Sequence, residues 1–212
     1  MTRVLPNAGD VMIRRDDLTG LVLAGGRGSR MKGRDKGLEP FLGRPLVTHA
    51  GDVLRDHVSE LLITANRHHE AYAPLADRVV EDIEPGYQGP LMGLYSGLRA
   101  AHTSWLVVVP CDAPALPRTL VARLVAAIGE ADIAVAHDGL RAHPVVALVR
   151  VALADDLARC LAEGVRKVET WQARHERVWA DVSDCPEAFA NLNTDAERQR
   201  LARELGKEAA SP

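Results

Sequence analysis

Cysteine is scarce in this sequence, and the little there is forms no metal or disulfide pattern. Cys111, Cys160 and Cys185 are odd in number and show no CxxC spacing, which speaks against a disulfide framework and against a zinc ribbon. Positive charge is not in excess either. The 26 basic residues face 29 acidic ones, for a formal net charge of -3, so the chain lacks the field that holds a nucleic acid. No apolar run approaches the roughly 18 residues of a membrane span, and the opening MTRVLPNAGDVMIRRDD lacks a signal peptide's apolar stretch. Together these absences predict a cytoplasmic protein with neither nucleic acid nor membrane as a partner. Internal repeats, low-complexity tracts and long linkers are missing too, and 212 residues at 47% hydrophobic content suffice for one sizeable core. The expectation is a single domain over residues 18–206. A leader at 1–17 and a tail at 207–212 show no sustained apolar period and are expected to be loosely ordered.

What is present alternates short β-rich runs with longer stretches whose apolar residues recur at three and four, the pattern of a mostly parallel sheet covered by helices. Strands are expected at 18–24, 60–65, 78–81, 105–109 and 132–136. The runs LVLA and WLVVVP have no polar face to show water, as befits central strands. Helices are expected at 45–57, 90–102 and 116–128, each with proline in or near its first turn, and further helical patterns lie at 151–163, 167–174 and 195–205. The segment HDGLRAHPVVALV places two extended stretches around Asp138-Gly139, which predicts a hairpin or antiparallel edge.

In open α/β sheets, ligands lie beyond the carboxyl ends of the strands. Directly after the first strand comes GGRGSRMKGRDKG, residues 25–37, where five glycines accompany Arg27, Arg30, Lys32, Arg34 and Lys36 against the single acid Asp35. Glycine lets backbone N–H groups turn toward an anion, and the cations offset a triphosphate's charge. The spacing matches neither GxxxxGK[ST] nor GxGxxG. A solvated basic loop is the plain alternative, but the density of glycine and cations straight after a buried strand favours phosphate binding. Asp112 emerges just past the most apolar strand, between Pro110 and Pro114. A rigid carboxylate there suits magnesium, which takes hard oxygen ligands and completes its shell with phosphates and water. The competing role is a cap for the helix near Leu116, and the neighbouring phosphate loop favours the metal.

Asn66 and Asp82 also end strands, where each either hydrogen-bonds a base or ribose edge or simply forms a turn. Asn191 and Asn193 sit at i and i+2 on an extended stretch and can face one site. Thr194, with Glu197 three residues on, reads as a capping box. The histidines show no HxxxH or Cys/His spacing for zinc, and His143 is a candidate for shaping a pocket.

Taken together, LAGGRGSRMKGRDKGL, TANRHHEAY, VVED followed by GPLMGL, VPCDAPALP, HPVVALV and NLNTDAE resemble the molybdenum cofactor guanylyltransferase family over residues 18 to 205. The resemblance implies an α/β, Rossmann-like nucleotidyltransferase fold: a mostly parallel central sheet with helices on both faces and a small antiparallel element. It implies magnesium as cofactor and GTP and molybdenum-bearing molybdopterin as substrates, with transient contact to a molybdopterin delivery protein or acceptor enzyme. Carried onto this chain, the family's nucleotide-binding residues correspond to Leu23, Ala24 and Gly25 with Lys36, Asn66 and Asp82, and the adjoining Gly26 is a further nucleotide-binding candidate. Asp112 corresponds to the residue that binds nucleotide and magnesium, and Asn191 and Asn193 to asparagines whose end of the cleft is the pterin side; Lys36 and Arg30 are the candidates for the triphosphate. Met92 departs from the smaller residue expected at its position. A cytidylyltransferase using CTP is the nearest rival, but Gly25-Gly26 and the PCD form of the metal motif resemble the guanylyl branch. A non-catalytic nucleotide- or pterin-binding module is the rival of another class, and it has no need of Asp112 and Lys36 together.

Overall fold

The computed structural model describes residues 13–24, 35–86, 89–192 and 194–208. A seven-stranded sheet runs through them in the order β5-β4-β1-β6-β8-β7-β9. Its strands are β1 (Leu18–Leu23), β4 (Glu60–Thr64), β5 (Arg78–Val80), β6 (Trp105–Pro110), β7 (Ile133–His137), β8 (Ala142–Arg150) and β9 (Arg177–Asp181). Only β8 runs against its neighbours β6 and β7, and the other pairings are parallel. A separate two-stranded antiparallel sheet joins β2 (Pro40–Phe41) to β3 (Arg44–Pro45). The expected architecture is therefore the observed one.

The apolar runs of β1 and β6 bury alternate residues on opposite faces, because successive side chains of a strand point opposite ways. On one face Leu18 and Val22 of β1 and Trp105, Val107 and Val109 of β6 meet α1 (Leu46–Arg55) and α4 (Leu120–Ile128). On the other, Leu21 with Leu106 and Val108 meets α3 (Pro90–Ala100), α5 (Ala154–Ala162) and α6 (Val168–Gln172). Burying each such leucine contributes about 1.5–3 kcal/mol, so both faces hold the sheet in place. Met92 is fully buried in the second cluster, where its unbranched thioether chain fills the space between sheet and helix.

Several boundaries differ from expectation for physical reasons. The helix foreseen from residue 116 begins at Leu120. Pro114 and Pro117 lack N–H donors, and the Leu120 N–H donates to the Pro117 carbonyl at 3.0 Å to close the lead-in turn. The end of the expected leader is packed: Arg15–Asp17 form a 3-10 turn closed by the Arg14 N–H on Asp17 Oδ2 at 2.9 Å, and Ile13 packs against the first cluster. The short helix α2 (His69–Tyr72) follows β4, and α7 (Asp195–Glu208) reaches two residues into the expected tail. Residues 1–12 and 209–212 lie outside the described residues. The Asp138-Gly139 turn is present, with Gly139 at φ 89°, a left-handed conformation glycine adopts without strain. The Thr194 capping box forms as well: the Thr194 N–H donates to Glu197 Oε2 at 2.8 Å, and the Glu197 N–H to Thr194 Oγ1 at 3.2 Å.

Sheet register then positions the site. Val80, Thr64, Leu23 and Pro110 pair across β5, β4, β1 and β6 in one row. The residues following them, Asp82, Asn66, Ala24 and Asp112, consequently leave the sheet along a single edge.

Candidate nucleotide site

A cavity of about 300 Å³ opens along this edge, lined among others by Leu23, Ala24, Lys36, Asp82, Asp112 and Asn191. Six of the residues singled out from sequence thus share one concavity. Gly25, Gly26, Arg30 and Asn193 lie outside the described residues.

Lys36 and Asp112 come from segments following adjacent strands, and Lys36 Nζ donates to Asp112 Oδ2 at 2.8 Å. The other carboxylate oxygen, Asp112 Oδ1, is buried and has no hydrogen-bond partner among the described residues. An anionic oxygen held out of water with a free coordination position suits a hard cation. No group of three or more Asp, Glu, His or Cys side chains among the described residues could hold a metal ion, so any metal here takes the remainder of its shell from elsewhere. Cys111 precedes Asp112, and its thiol is pushed up to about 12 by burial and then by the Asp112 charge. It stays neutral, which removes it from consideration as a nucleophile.

Across the cavity Asn66 does not line the wall but holds the residue that does. Its Nδ2 donates to Asp82 Oδ2 at 2.7 Å, and its Oδ1 accepts from the Asp82 N–H at 2.9 Å. Burial raises the Asp82 carboxyl above the usual carboxylate range, and the Asn66 amide offsets only part of that. Space for a ligand depends on Gly93 of α3. A β-carbon there would stand 3.0 Å from Leu23 Cδ2 and 3.8 Å from Asp82 Oδ1, so α3 approaches the sheet this closely only because the position has no side chain.

Asn191 is fixed through its neighbour: the Leu192 N–H donates to the Asp112 carbonyl at 2.9 Å, and the Leu192 side chain is buried with Phe41 and Leu46. Asn191 also borders a second, smaller cavity of about 180 Å³, with Arg141, His143 and Phe189 on its walls. His143 Nε2 lies 2.7 Å from Asp138 Oδ2, and its ring packs 4.7 Å from that of Phe189. The N–H groups of Arg141 and Leu140, then His143, hold the Asp138 carboxyl well below the usual carboxylate range.

Sequence reasoning missed Thr64, Gly93 and the pairing of His143 with the turn residue Asp138. Thr64 was readable as the last strand residue before Asn66. Its Oγ1 accepts from the Ala24 N–H at 3.3 Å and steadies the start of the loop.

A sheet of this order with a cation–carboxylate pair at its carboxyl edge falls in a known class: residues 20–178 match the family model for the MobA-like NTP transferase domain, which makes the chain a nucleotidyltransferase. The molybdenum cofactor guanylyltransferase of Shewanella pealeana is 41% identical over 89% of this chain and 95% of its own length. That of Shewanella sp. strain MR-4 is 42% identical over 88% and 96%. The chain belongs to the molybdenum cofactor guanylyltransferase family. Among solved structures, the molybdopterin-guanine dinucleotide biosynthesis protein A of Archaeoglobus fulgidus superposes with a TM-score of 0.72 at 21% identity, over 89% of this chain and 99% of that one. The 2-C-methyl-D-erythritol 4-phosphate cytidylyltransferase of Thermus thermophilus gives 0.68 at 17%, over 88% and 98%. At those identities the likeness is one of fold. No helix among the described residues is long and apolar enough to cross a membrane.

Proposed function

We propose that this protein transfers GMP from GTP to molybdenum-bearing molybdopterin, in the cytoplasm, giving the guanine dinucleotide cofactor and pyrophosphate. The observation that carries the reading is the Lys36–Asp112 pair facing the Asn66–Asp82 pair across one cavity, in a chain whose relatives are named guanylyltransferases. The acceptor's terminal phosphate oxygen attacks the α-phosphorus of GTP in line. A bond forms from that oxygen to the phosphorus, and the bond from the α-phosphorus to the bridging oxygen breaks, its electron pair leaving on pyrophosphate. A phosphate monoester is largely ionised at neutral pH, its second pKa lying near about 6, so no strong general base is required. Catalysis then rests on positioning and charge stabilisation.

Lys36 supplies positive charge to the triphosphate, and Arg30 is assigned the same task. Asp82, steadied by Asn66, accepts donors of the nucleoside, while the backbone at Ala24, Gly25 and Gly26 approaches the nucleotide beside Leu23. The Asp112 oxygen that lacks a hydrogen-bond partner among the described residues fits magnesium, with one protein carboxylate and the rest of the shell from phosphate and water. Bound there, the ion would spread the triphosphate's charge and ease departure of pyrophosphate. Asn191 and Asn193 are assigned to the pterin side, next to the cavity that His143 and Phe189 line. A delivery protein or acceptor enzyme is the transient partner this chemistry calls for.

The test is pyrophosphate release with magnesium and molybdenum-loaded molybdopterin, comparing GTP with CTP and the wild type with Asp112→Asn. Release with GTP, lowered by a factor of about 100 or more in the variant, is the expected result. Release with CTP instead would move the protein to cytidylyl transfer. No release with either would leave nucleotide binding without turnover.

A further inference from the structure

Four side chains with no part in the proposed chemistry converge behind Lys36. Asp35, its immediate neighbour, has a side chain only 8% exposed. Its Oδ1 accepts from the Tyr72 hydroxyl at 2.6 Å and from the Gly37 N–H at 3.3 Å. Its Oδ2 lies 3.1 Å from His68 Nδ1 and 3.5 Å from Arg67 Nε. Asp35 belongs to the segment that carries Lys36 to Asp112. Arg67, His68 and Tyr72 belong to the segment that leaves β4 directly after Asn66. The carboxylate therefore joins the two walls of the cavity, one ending in Lys36–Asp112 and the other beginning with Asn66–Asp82.

Three features show that this junction is built rather than incidental. A carboxylate this deeply buried is tolerated only with several donors, and a lost partner leaves a costly uncompensated charge. His68 stands at φ 55°, a left-handed conformation uncommon outside glycine, and it is held there with its ring against Asp35. Gly37 has no room for a side chain, since a β-carbon there would collide with the Tyr72 hydroxyl. Tyr72 is itself fully buried, and burial, then the hydrogen bond to Asp35, hold its hydroxyl far above the usual phenol range. The hydroxyl donates its proton to Asp35.

We propose that Asp35 is a positioning residue: through Tyr72, His68 and Arg67 it locks Lys36 in register with the Asn66–Asp82 pair, so that the phosphate-facing and nucleoside-facing walls act as one unit. The proposal rests on the reading of Lys36 as a triphosphate ligand. Asp35 touches no substrate and acts through Lys36.

A double-mutant cycle in the full chain tests it, with wild type, Tyr72→Phe, Lys36→Met and the double variant compared in kcat/KM for GTP, GTP affinity with magnesium, and Tm. Tyr72→Phe keeps the buried ring and removes only the hydroxyl, and it is expected to cost about tenfold in kcat/KM and in GTP affinity. In the Lys36→Met background the same change is expected to cost less than about twofold, because residues acting as one unit are not additive. A full tenfold loss in both backgrounds, or a lowered Tm with kcat/KM and affinity unchanged, overturns the proposal. If Tyr72→Phe does not fold, Gly37→Ala enters the same cycle, since its methyl group displaces the Tyr72 hydroxyl while Asp35 and Tyr72 both remain. Should the wild type release no pyrophosphate, the functional reading falls, and the cycle read in GTP affinity alone still decides the clamp.

Discussion

A carboxylate withdrawn from water needs several donors to replace its hydration, and among the described residues the side-chain donor to Asp82 is a single amide, Asn66 Nδ2. Burial therefore keeps its pKa raised. A folded-state pKa above the unfolded one means that ionised Asp82 opposes folding, and the penalty grows as pH rises past the ordinary value of about 3.9. Such a cost is the one expected of a residue whose under-solvated oxygen serves a ligand, the role proposed for Asp82. Asp82→Asn removes the charge and leaves an oxygen that still accepts from Asn66. The expected outcome is a Tm at pH 7 equal to or above that of the wild type, the gap closing toward pH 4. The KM for GTP should rise about tenfold or more with loss of a charge-assisted acceptor. Melting curves at the two pH values and initial rates check both halves, and a lower Tm with unchanged KM would make Asp82 a structural residue only.

The β7–β8 hairpin shows the opposite electrostatic arrangement. Asp138 Oδ1 accepts from the Leu140 N–H at 2.9 Å and the Arg141 N–H at 2.7 Å, and its Oδ2 lies against His143. These partners depress its pKa, so its stabilising contribution is present above the ordinary Asp value and is lost as pH falls through the folded one. Asp138→Asn should lower Tm at pH 7 and flatten the fall of Tm below about pH 4; an acid limb as steep as that of the wild type would refute the assignment. This hairpin was legible in sequence because Asp-Gly between apolar stretches has few other uses, and the central strands were legible because they are apolar throughout. Edge strand β9 was not, since in RVWAD only Ala180 is buried and Trp179 is 47% exposed, leaving no clean alternation. The site divides on similar lines. Asp112, Asp82 and Asn66 stand next to strand ends and could be found by position alone, whereas Lys36 lies well past the end of β1 and was marked by the glycine- and cation-rich segment that holds it and by the family resemblance. The clamp on Asp35 joins residues 33 and 37 positions apart in the chain, and Gly93 acts through what it lacks, so neither leaves a local pattern.

At the scale of the whole molecule, the cavity takes its walls from the end of β4, from segments following β1, β5 and β6, from the start of α3 and from the stretch around Asn191, which hangs on the Asp112 carbonyl. A nucleotide bound there contacts elements brought together only by the completed sheet, so it binds the folded chain and has no equivalent site on the unfolded one. Linkage then sets the size of the effect: at a ligand concentration 100 times Kd, binding to the native state alone adds about 2.7 kcal/mol. For a chain of roughly 200 residues each kcal/mol shifts Tm by about 2–4 °C, which gives an expected rise of about 5–10 °C with GTP and magnesium. CTP at the same concentration should raise Tm less, because Asp82 and its neighbours face a different pattern of donors. Asp112→Asn should lose most of the GTP shift, measured against its own Tm without nucleotide, because the substitution also removes the charge that pairs with Lys36 Nζ at 2.8 Å. Thermal melts of the two proteins with GTP, CTP and no nucleotide check this directly. An equal shift with CTP would remove the base preference, and a GTP shift fully retained in Asp112→Asn would move the triphosphate away from the Lys36–Asp112 wall.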